Sequence, residues 1–212
     1  FLVFVLTFFI FNTTNAKDVS EFFNNLIPGE GLTEASIQIN ENDDPDLEIL
    51  AVRNINSDET SNTFTQFSLH TQETNGHNRL IGNIGFGYRK LSEDKSNVMG
   101  VNIFIDNDFN AGHQRGSIGF EAKSGNLDLV ANSYHKISNM EVYKGTEEQV
   151  LSGYTINLSS QVPYTPWAKI NWQNYSWKNE KASSDTEGNS IALEANLTPS
   201  VQLEFKNDMS DN

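Results

Sequence analysis

The chain has 212 residues, a formal net charge of -14 and only 20% charged residues. This acidic balance argues against a nucleic-acid partner, because binding to phosphates requires a basic surface. The absence of cysteine excludes a disulfide framework, thiolate metal sites and a cysteine nucleophile. The length suits a single all-β domain.

The N-terminus begins with an apolar run, FLVFVLTFFIF at residues 1–11, which leads into the small and polar stretch 12–16. The run is too short to cross a bilayer as a helix, and the succession is typical of a signal peptide cut after Ala16. Because no methionine or basic segment precedes the run, we interpret residues 1–16 as an incomplete signal peptide. The alternative, a buried N-terminal strand, is disfavoured by the lack of alternation in the run.

Residues 17–34 are predicted to form a periplasmic lead-in, with one short helix before Pro28 and Gly29. From Ala35 onward, apolar residues fall on every second position in segments of about ten residues, separated by Gly, Asn and Asp turns. This period indicates strands with one apolar and one polar face. It predicts about eleven strands, at residues 35–40, 47–55, 63–71, 80–90, 98–106, 114–123, 127–136, 149–161, 167–178, 189–198 and 201–207.

Both a transmembrane β-barrel and a soluble β-sandwich show this alternation. The connections favour the barrel, because short and long ones alternate as periplasmic turns and outer loops do. The short ones are 124–126, 162–166 and 198–200, and the long ones are 107–113, 137–148 and 179–188. We therefore predict an all-β, antiparallel transmembrane β-barrel over residues 35–212. Since its strand number is odd, we expect the last strand to be missing and two edges to be unpaired.

The alternation also predicts which polar side chains face the barrel interior. They are Asn83, Arg89, Asn102, Glu121, Asp128, Asn132, Lys169 and Glu194. Both charge signs occur, so such a lining could hold a polypeptide or pass small ions. Near the ends of one strand, Trp167, Tyr175 and Trp177 suit a girdle at the membrane interface.

Residues 106–117 begin like a calcium loop, but alanine and serine occupy the positions that require glycine and glutamate. We instead expect Asp106, Asp108, His113 and Arg115 to form a polar network where an outer loop meets the strands. No histidine pair at helical spacing and no serine motif accompanies them. The sequence therefore predicts neither an enzyme nor a cofactor.

Five segments resemble, in order and spacing, the β-domain of the inverse autotransporters, the invasin and intimin family. They read TFTQFSLHTQ (63–72), NIGFGYR (83–89), MGVNIFIDND (99–108), HQRGSIGFE (113–121) and LDLVANSYHKIS (127–138). The positions that match the family motif are Gly85, Gly87, Tyr88, Arg89, Asp106, Asp108, His113, Arg115 and Gly116. The resemblance covers roughly Leu47 to Phe205.

The resemblance implies a twelve-stranded barrel that anchors the protein in the bacterial outer membrane. It also implies that a C-terminal adhesin-type passenger crosses to the exterior through the pore. The implied partners are outer-membrane lipid, periplasmic chaperones, the barrel-assembly machinery and the chain's own passenger. Because the sequence ends at Asn212 without a passenger, we assign no adhesive activity to these residues. Two alternatives stay open: a porin-like channel without a passenger, and a soluble secreted β-sandwich that binds a ligand.

Overall fold

The computed structural model describes residues 2–9, 29–40, 44–179 and 185–211. In this part of the chain, no helix is long and apolar enough to cross a bilayer. The strands are β1 (Leu2–Phe9), β2 (Gly31–Asn40), β3 (Asp46–Ser57), β4 (Ser61–Thr74), β5 (His77–Leu91), β6 (Asn97–Asp108), β7 (Gln114–Ser124), β8 (Leu127–Lys136), β9 (Glu141–Tyr143), β10 (Thr146–Glu148), β11 (Ser152–Gln161), β12 (Ala168–Lys178), β13 (Thr186–Thr198) and β14 (Val201–Asp211).

Twelve of these strands form one closed antiparallel barrel, in the order β1-β14-β13-β12-β11-β8-β7-β6-β5-β4-β3-β2. The short strands β9 and β10 form a separate hairpin between β8 and β11. The predicted strands correspond to β2–β8 and β11–β14, so the predicted antiparallel barrel is confirmed. A single closed sheet also excludes the two packed sheets of a β-sandwich for the described residues.

The structure corrects the expectation of two unpaired edges. β1 lies between β14 and β2, and it pairs with β14 over residues 201–207 and with β2 over residues 36–40. These parts of the two edges are therefore paired. This strand lies within the apolar run of residues 1–11, which the sequence predicts to be part of a signal peptide. The proposed cut after Ala16 and the predicted lead-in helix lie outside the described residues, and the signal peptide stays a prediction.

The strands have one apolar and one polar face, as their period of two requires. On the apolar face, Phe86 lies opposite Ile103, which in turn lies opposite Ile118, and Val101 lies opposite Phe120. All five of these side chains are exposed, between 41% and 60%. Such a continuous apolar surface suits contact with lipid.

The connections divide the barrel into two ends. One end, which we call the turn end, carries the short connections 125–126, 162–167 and 199–200. The opposite end, the loop end, carries the connections 109–113, 137–151 and 179–185. The predicted contrast in length holds for 137–151 against 125–126 and 199–200, but 162–167, with six residues, is longer than 109–113, with five. Short turns face the periplasm in such barrels, which makes the loop end the outer one.

One connection at the loop end is short, because Asn75 and Gly76 alone join β4 to β5. Both residues have positive φ, 53° and 72°, which is the geometry of a type I′ hairpin turn. This tight turn allows both strands to continue beyond their predicted ends at residues 71 and 80.

Candidate functional site in the barrel lumen

The strand register places the predicted interior residues on one face of the sheet, opposite the apolar face. These residues are Asn83, Arg89, Asn102, Glu121, Asp128, Asn132, Lys169 and Glu194. A cavity of about 380 Å³ is lined by Asn83 and Asn132, and by other side chains from β3 to β8. Strands that are not neighbours can line one cavity only from the inside of the barrel.

Glycines of the NIGFGYR segment make room for aromatic rings inside the barrel. A Cβ atom on Gly85 would lie 2.1 Å from Phe104 Cδ1, and one on Gly87 would lie 2.2 Å from Phe64 Cζ. The guanidinium of Arg89 lies over the Phe64 ring, 4.3 Å from its centroid, a favourable cation–π geometry. These two motif glycines therefore permit close packing of the inner wall.

Arg89 also forms an ion pair inside the barrel, because its Nε atom donates a hydrogen bond to Glu121. The Glu121 carboxylate is 5% exposed, and Lys123 Nζ lies 3.9 Å from its second oxygen. A Cβ atom on Gly100 would lie 2.5 Å from Glu121 Oε1. The glycine thus leaves space for a buried carboxylate that two cations stabilise.

A second ion pair joins β6 to β7 closer to the loop end. Arg115 donates from Nε and Nη2 to Asp106 Oδ2, at 3.1 and 2.9 Å. Asn83 donates to the other oxygen of this carboxylate, Oδ1. The guanidinium of Arg115 also lies 4.5 Å from the ring centroid of Tyr134 and 5.6 Å from that of Trp177.

The position of Trp177 corrects part of the predicted aromatic girdle. Tyr175 and Trp177 share strand parity with Lys169 and therefore point inward, where the Tyr175 hydroxyl donates to Asp208 Oδ1 at 2.7 Å. Nearness to a strand end does not determine the face, whereas parity does. Trp167 is 55% exposed, just before β12 at the turn end, where an interfacial aromatic is expected.

A cluster of buried charges, which we call the mouth cluster, lies at the loop end and consists of Arg79, Asp108, His113 and Glu148. Arg79 binds Asp108 at 3.1 Å and Glu148 at 2.7 Å. His113 Nε2 lies 3.6 Å from the second oxygen of Glu148, and Asn75 donates to the first at 2.7 Å. The hydrogen bond from Arg79 is the main reason why the pKa of Glu148 falls from 4.5 to about 2.

Asp108 has a second role, because its Oδ1 atom accepts the backbone N–H groups of Asn110 and Ala111, both at 2.9 Å. The carboxylate therefore shapes the loop after β6, and Arg79 occupies its other oxygen. In the described residues, no group of three or more His, Cys, Asp or Glu side chains could hold a metal ion.

Sequence reasoning did not identify Arg79 or Glu148. Arg79 could have been found, because it shares strand parity with Asn83 and lies on β5 one residue before the predicted start of that strand. Glu148 lies in a long connection without a repeating pattern, so no sequence signal points to it. Of the remaining motif residues, Tyr88 is on the apolar face, 42% exposed, and Gly116 lies opposite Ile105 on that face.

The opposite side of the lumen is built from β12, β13 and β14. Glu194 accepts hydrogen bonds from Asn171 and from Gln202, the latter at 2.9 Å. Glu204 lies directly across the strand pair from Glu194, and like charges in this position repel. At the turn end, Asp128 and Lys169 line a smaller cavity of about 160 Å³.

A closed barrel with an apolar outer face and a polar, charged interior defines an integral outer-membrane β-barrel. The model of the family described as "Inverse autotransporter, beta-domain" matches residues 11–212. This chain belongs to that family. The family match begins after β1.

One curated relative is the "Putative attaching and effacing protein homolog" of Escherichia coli (strain K12). It is 33% identical over 110 residues, which cover 50% of this chain and 36% of the relative. The match thus spans about a third of the relative's length. A solved chain from the study "Unveiling the Mechanism Behind the in-meso Crystallization of Membrane Proteins" is 15% identical, with a TM-score of 0.64, over 99% of this chain and 83% of that one. This likeness shows the fold.

Family membership identifies the domain as the outer-membrane β-domain of an inverse autotransporter, and its location as the bacterial outer membrane. The family is one of secretion and adhesion β-domains and is not known for enzymes.

Proposed function

We propose that this barrel carries its own C-terminal passenger to the cell surface and then holds it there as an adhesin. The observation that carries the proposal is the hydrogen-bonded polar lumen inside an apolar outer wall. A polypeptide in transit has backbone groups that need hydrogen-bonding partners, which lipid does not offer and this interior does. The side chains of Asn83, Asn102, Asn132 and Glu194 on the inner face supply such groups.

We further propose that the protein is exported through an N-terminal signal peptide and is then delivered to the barrel-assembly machinery by periplasmic chaperones. The apolar run of residues 1–11 followed by small polar residues supports the first step. Cleavage after Ala16 would remove β1, and another strand would then have to pair with β14 and β2. The N-terminal peptide of the mature protein, identified by mass spectrometry, tests this step: a start at Lys17 supports cleavage, and a peptide that contains Phe8 contradicts it.

The main test uses the native full-length protein in its own cells. We expect it in the outer-membrane fraction, with its passenger digested by protease added to intact cells and its barrel protected. The porin-like alternative predicts an outer-membrane protein from which external protease releases no domain. That result would overturn the passenger proposal and leave the barrel assignment intact.

A further inference from the structure

The segment 147–150, which we call the outer strap, runs across the mouth of the barrel at the loop end. At one side, Glu148 accepts a hydrogen bond from Asn75, in the turn between β4 and β5. At the other side, Gln149 Nε2 donates to Asn179 Oδ1, directly after β12, at 3.0 Å. In the barrel order, β12 and β5 are separated by β11, β8, β7 and β6, so these two contacts lie nearly opposite each other.

The strap is also the roof of a cavity. A space of about 380 Å³ is lined by all four strap residues and by inward-facing residues such as Arg79 and Asp106. A segment that only projected into solvent would not share a cavity with residues of the inner wall. The strap therefore covers the interior.

The two attachments of the strap differ in strength. The side chains of Arg79 and Glu148 are 3% and 9% exposed, and a buried pair of this kind resists both salt and water. His113, which is 6% exposed, adds a third contact, since its Nε2 atom lies 3.6 Å from Glu148 Oε2. The bond between Gln149 and Asn179 joins two neutral amides, which is a weaker attachment.

We propose that the outer strap is a latch that restricts access to the lumen from the cell exterior, with the Glu148 contacts as its fixed end. The neutral contact at Gln149 is the end that releases first when a polypeptide or solute passes. This proposal rests on the proposed function in one respect, namely that the loop end faces the exterior.

These 212 residues contain no cysteine, so a thiol introduced here is the single thiol of the barrel. Ser117 lines a lumen cavity that shares Asp106 and Arg115 with the cavity under the strap, so Ser117→Cys reports access to the lumen. The full-length protein with this substitution is treated in intact cells with a maleimide that cannot cross the membrane. Glu148→Gln keeps the size of the side chain and removes its charge. Glu93→Gln, exposed in the turn between β5 and β6 at the opposite end of the barrel, is the control, because the same chemical change there touches no residue of the strap.

We expect Glu148→Gln to raise the labelling rate by on the order of tenfold, which corresponds to about 1.4 kcal/mol of lost strap attachment. Glu93→Gln is expected to leave the rate unchanged. Gln149→Ala, which spares the buried ion pair, is expected to raise the rate as well, and it replaces Glu148→Gln if that variant fails to assemble. Equal labelling of Gln149→Ala and the parent would overturn the latch.

Heat-modifiable mobility on gel electrophoresis distinguishes a failure of the latch proposal from a failure of the barrel assignment. A parent that shows this mobility but labels as fast as its strap variants retains the barrel and contradicts only the latch. A parent without any heat-modifiable form would contradict the outer-membrane barrel itself.

Discussion

The two sides of the lumen are built differently. In the wall formed by β5, β6 and β7, which we call the motif wall, bulky residues lie against glycines and buried carboxylates lie against arginines, as Gly87 with Phe64 and Glu121 with Arg89 illustrate. In the wall formed by β13 and β14, a glycine also makes room for a ring, Gly188 for Tyr175, but the inward-facing carboxylate of Glu194 lies opposite Glu204. The family motif is thus a packing and charge-pairing pattern, and it is confined to one side of the barrel.

This contrast indicates which wall of the barrel tolerates substitution least. In the motif wall, Phe64, Phe104 and Glu121 fill space left by glycines, and such close packing tolerates little change. A wall with opposed carboxylates gives up some stability. The wall formed by β13 and β14 lies beside β1, which pairs with β2 only from Val5 to Phe9.

The largest effect is expected from Gly87→Val. A Cβ atom there would lie 2.2 Å from Phe64 Cζ, so we expect a loss of about 3 kcal/mol and a smaller heat-modifiable fraction. Gly116→Val is the control on the same wall, because its nearest neighbour, Ile137 Cδ1, is at 3.5 Å. Equal losses from the two substitutions, measured by urea unfolding in lipid vesicles, would contradict the packing account of the motif.

Next in size is Glu121→Gln, also in the motif wall. The amide fits the same space but removes the charge that Arg89 and Lys123 neutralise, so we expect a loss of about 1.5 kcal/mol in the free energy of unfolding. Replacing Lys90, exposed on the same strand as Arg89, by Gln is expected to change the stability by less than about 0.5 kcal/mol. An unchanged urea midpoint for Glu121→Gln would show that this ion pair does not stabilise the wall.

The same chemical change in the other wall should act in the opposite direction. Glu204→Gln removes the repulsion from Glu194 directly across the strand pair, so we expect a gain of about 0.5 kcal/mol. The comparison of Glu121→Gln with Glu204→Gln is made in identical vesicles, so that only the wall differs. Destabilisation by both substitutions would remove the distinction between the walls.

The last prediction concerns the mouth cluster and the dependence of its stability on pH. The pKa of Glu148 is lowered from 4.5 to about 2, so the folded state favours the ionised carboxylate. Its contribution to stability is fully present above pH 4.5 and is lost as the pH falls towards 2. The difference in thermal midpoint between the parent and Glu148→Gln should therefore be constant from neutral pH to about 4.5 and then narrow. A difference that does not depend on pH would contradict this assignment.

Much of the fold could be predicted from the sequence, because alternation and turn residues determine strands, faces and connection lengths. Strand parity alone predicts that Asn83 and Glu121 face the barrel interior, and the strand register puts both side chains on the same face of the sheet. The ion-pair partners were harder to predict from the sequence. Glu148 lies in a loop without a repeating pattern, and its partner Arg79 lies on a distant strand. The pairing of residues 2–9 with β14 and β2 could not be predicted either, because a local sequence pattern does not specify which strand closes a barrel.

The most direct test of the central claim is a cysteine scan of residues 101–106 on β6, made in isolated outer membranes that are open to reagents from both sides. The 212 residues contain no cysteine, so each introduced thiol is the only one in the barrel and reports one position. We predict that a charged, water-soluble maleimide labels positions 102, 104 and 106, and that a lipid-soluble reagent labels 101, 103 and 105. Uniform labelling of all positions by the water-soluble reagent would contradict a barrel that separates lipid from a hydrated lumen.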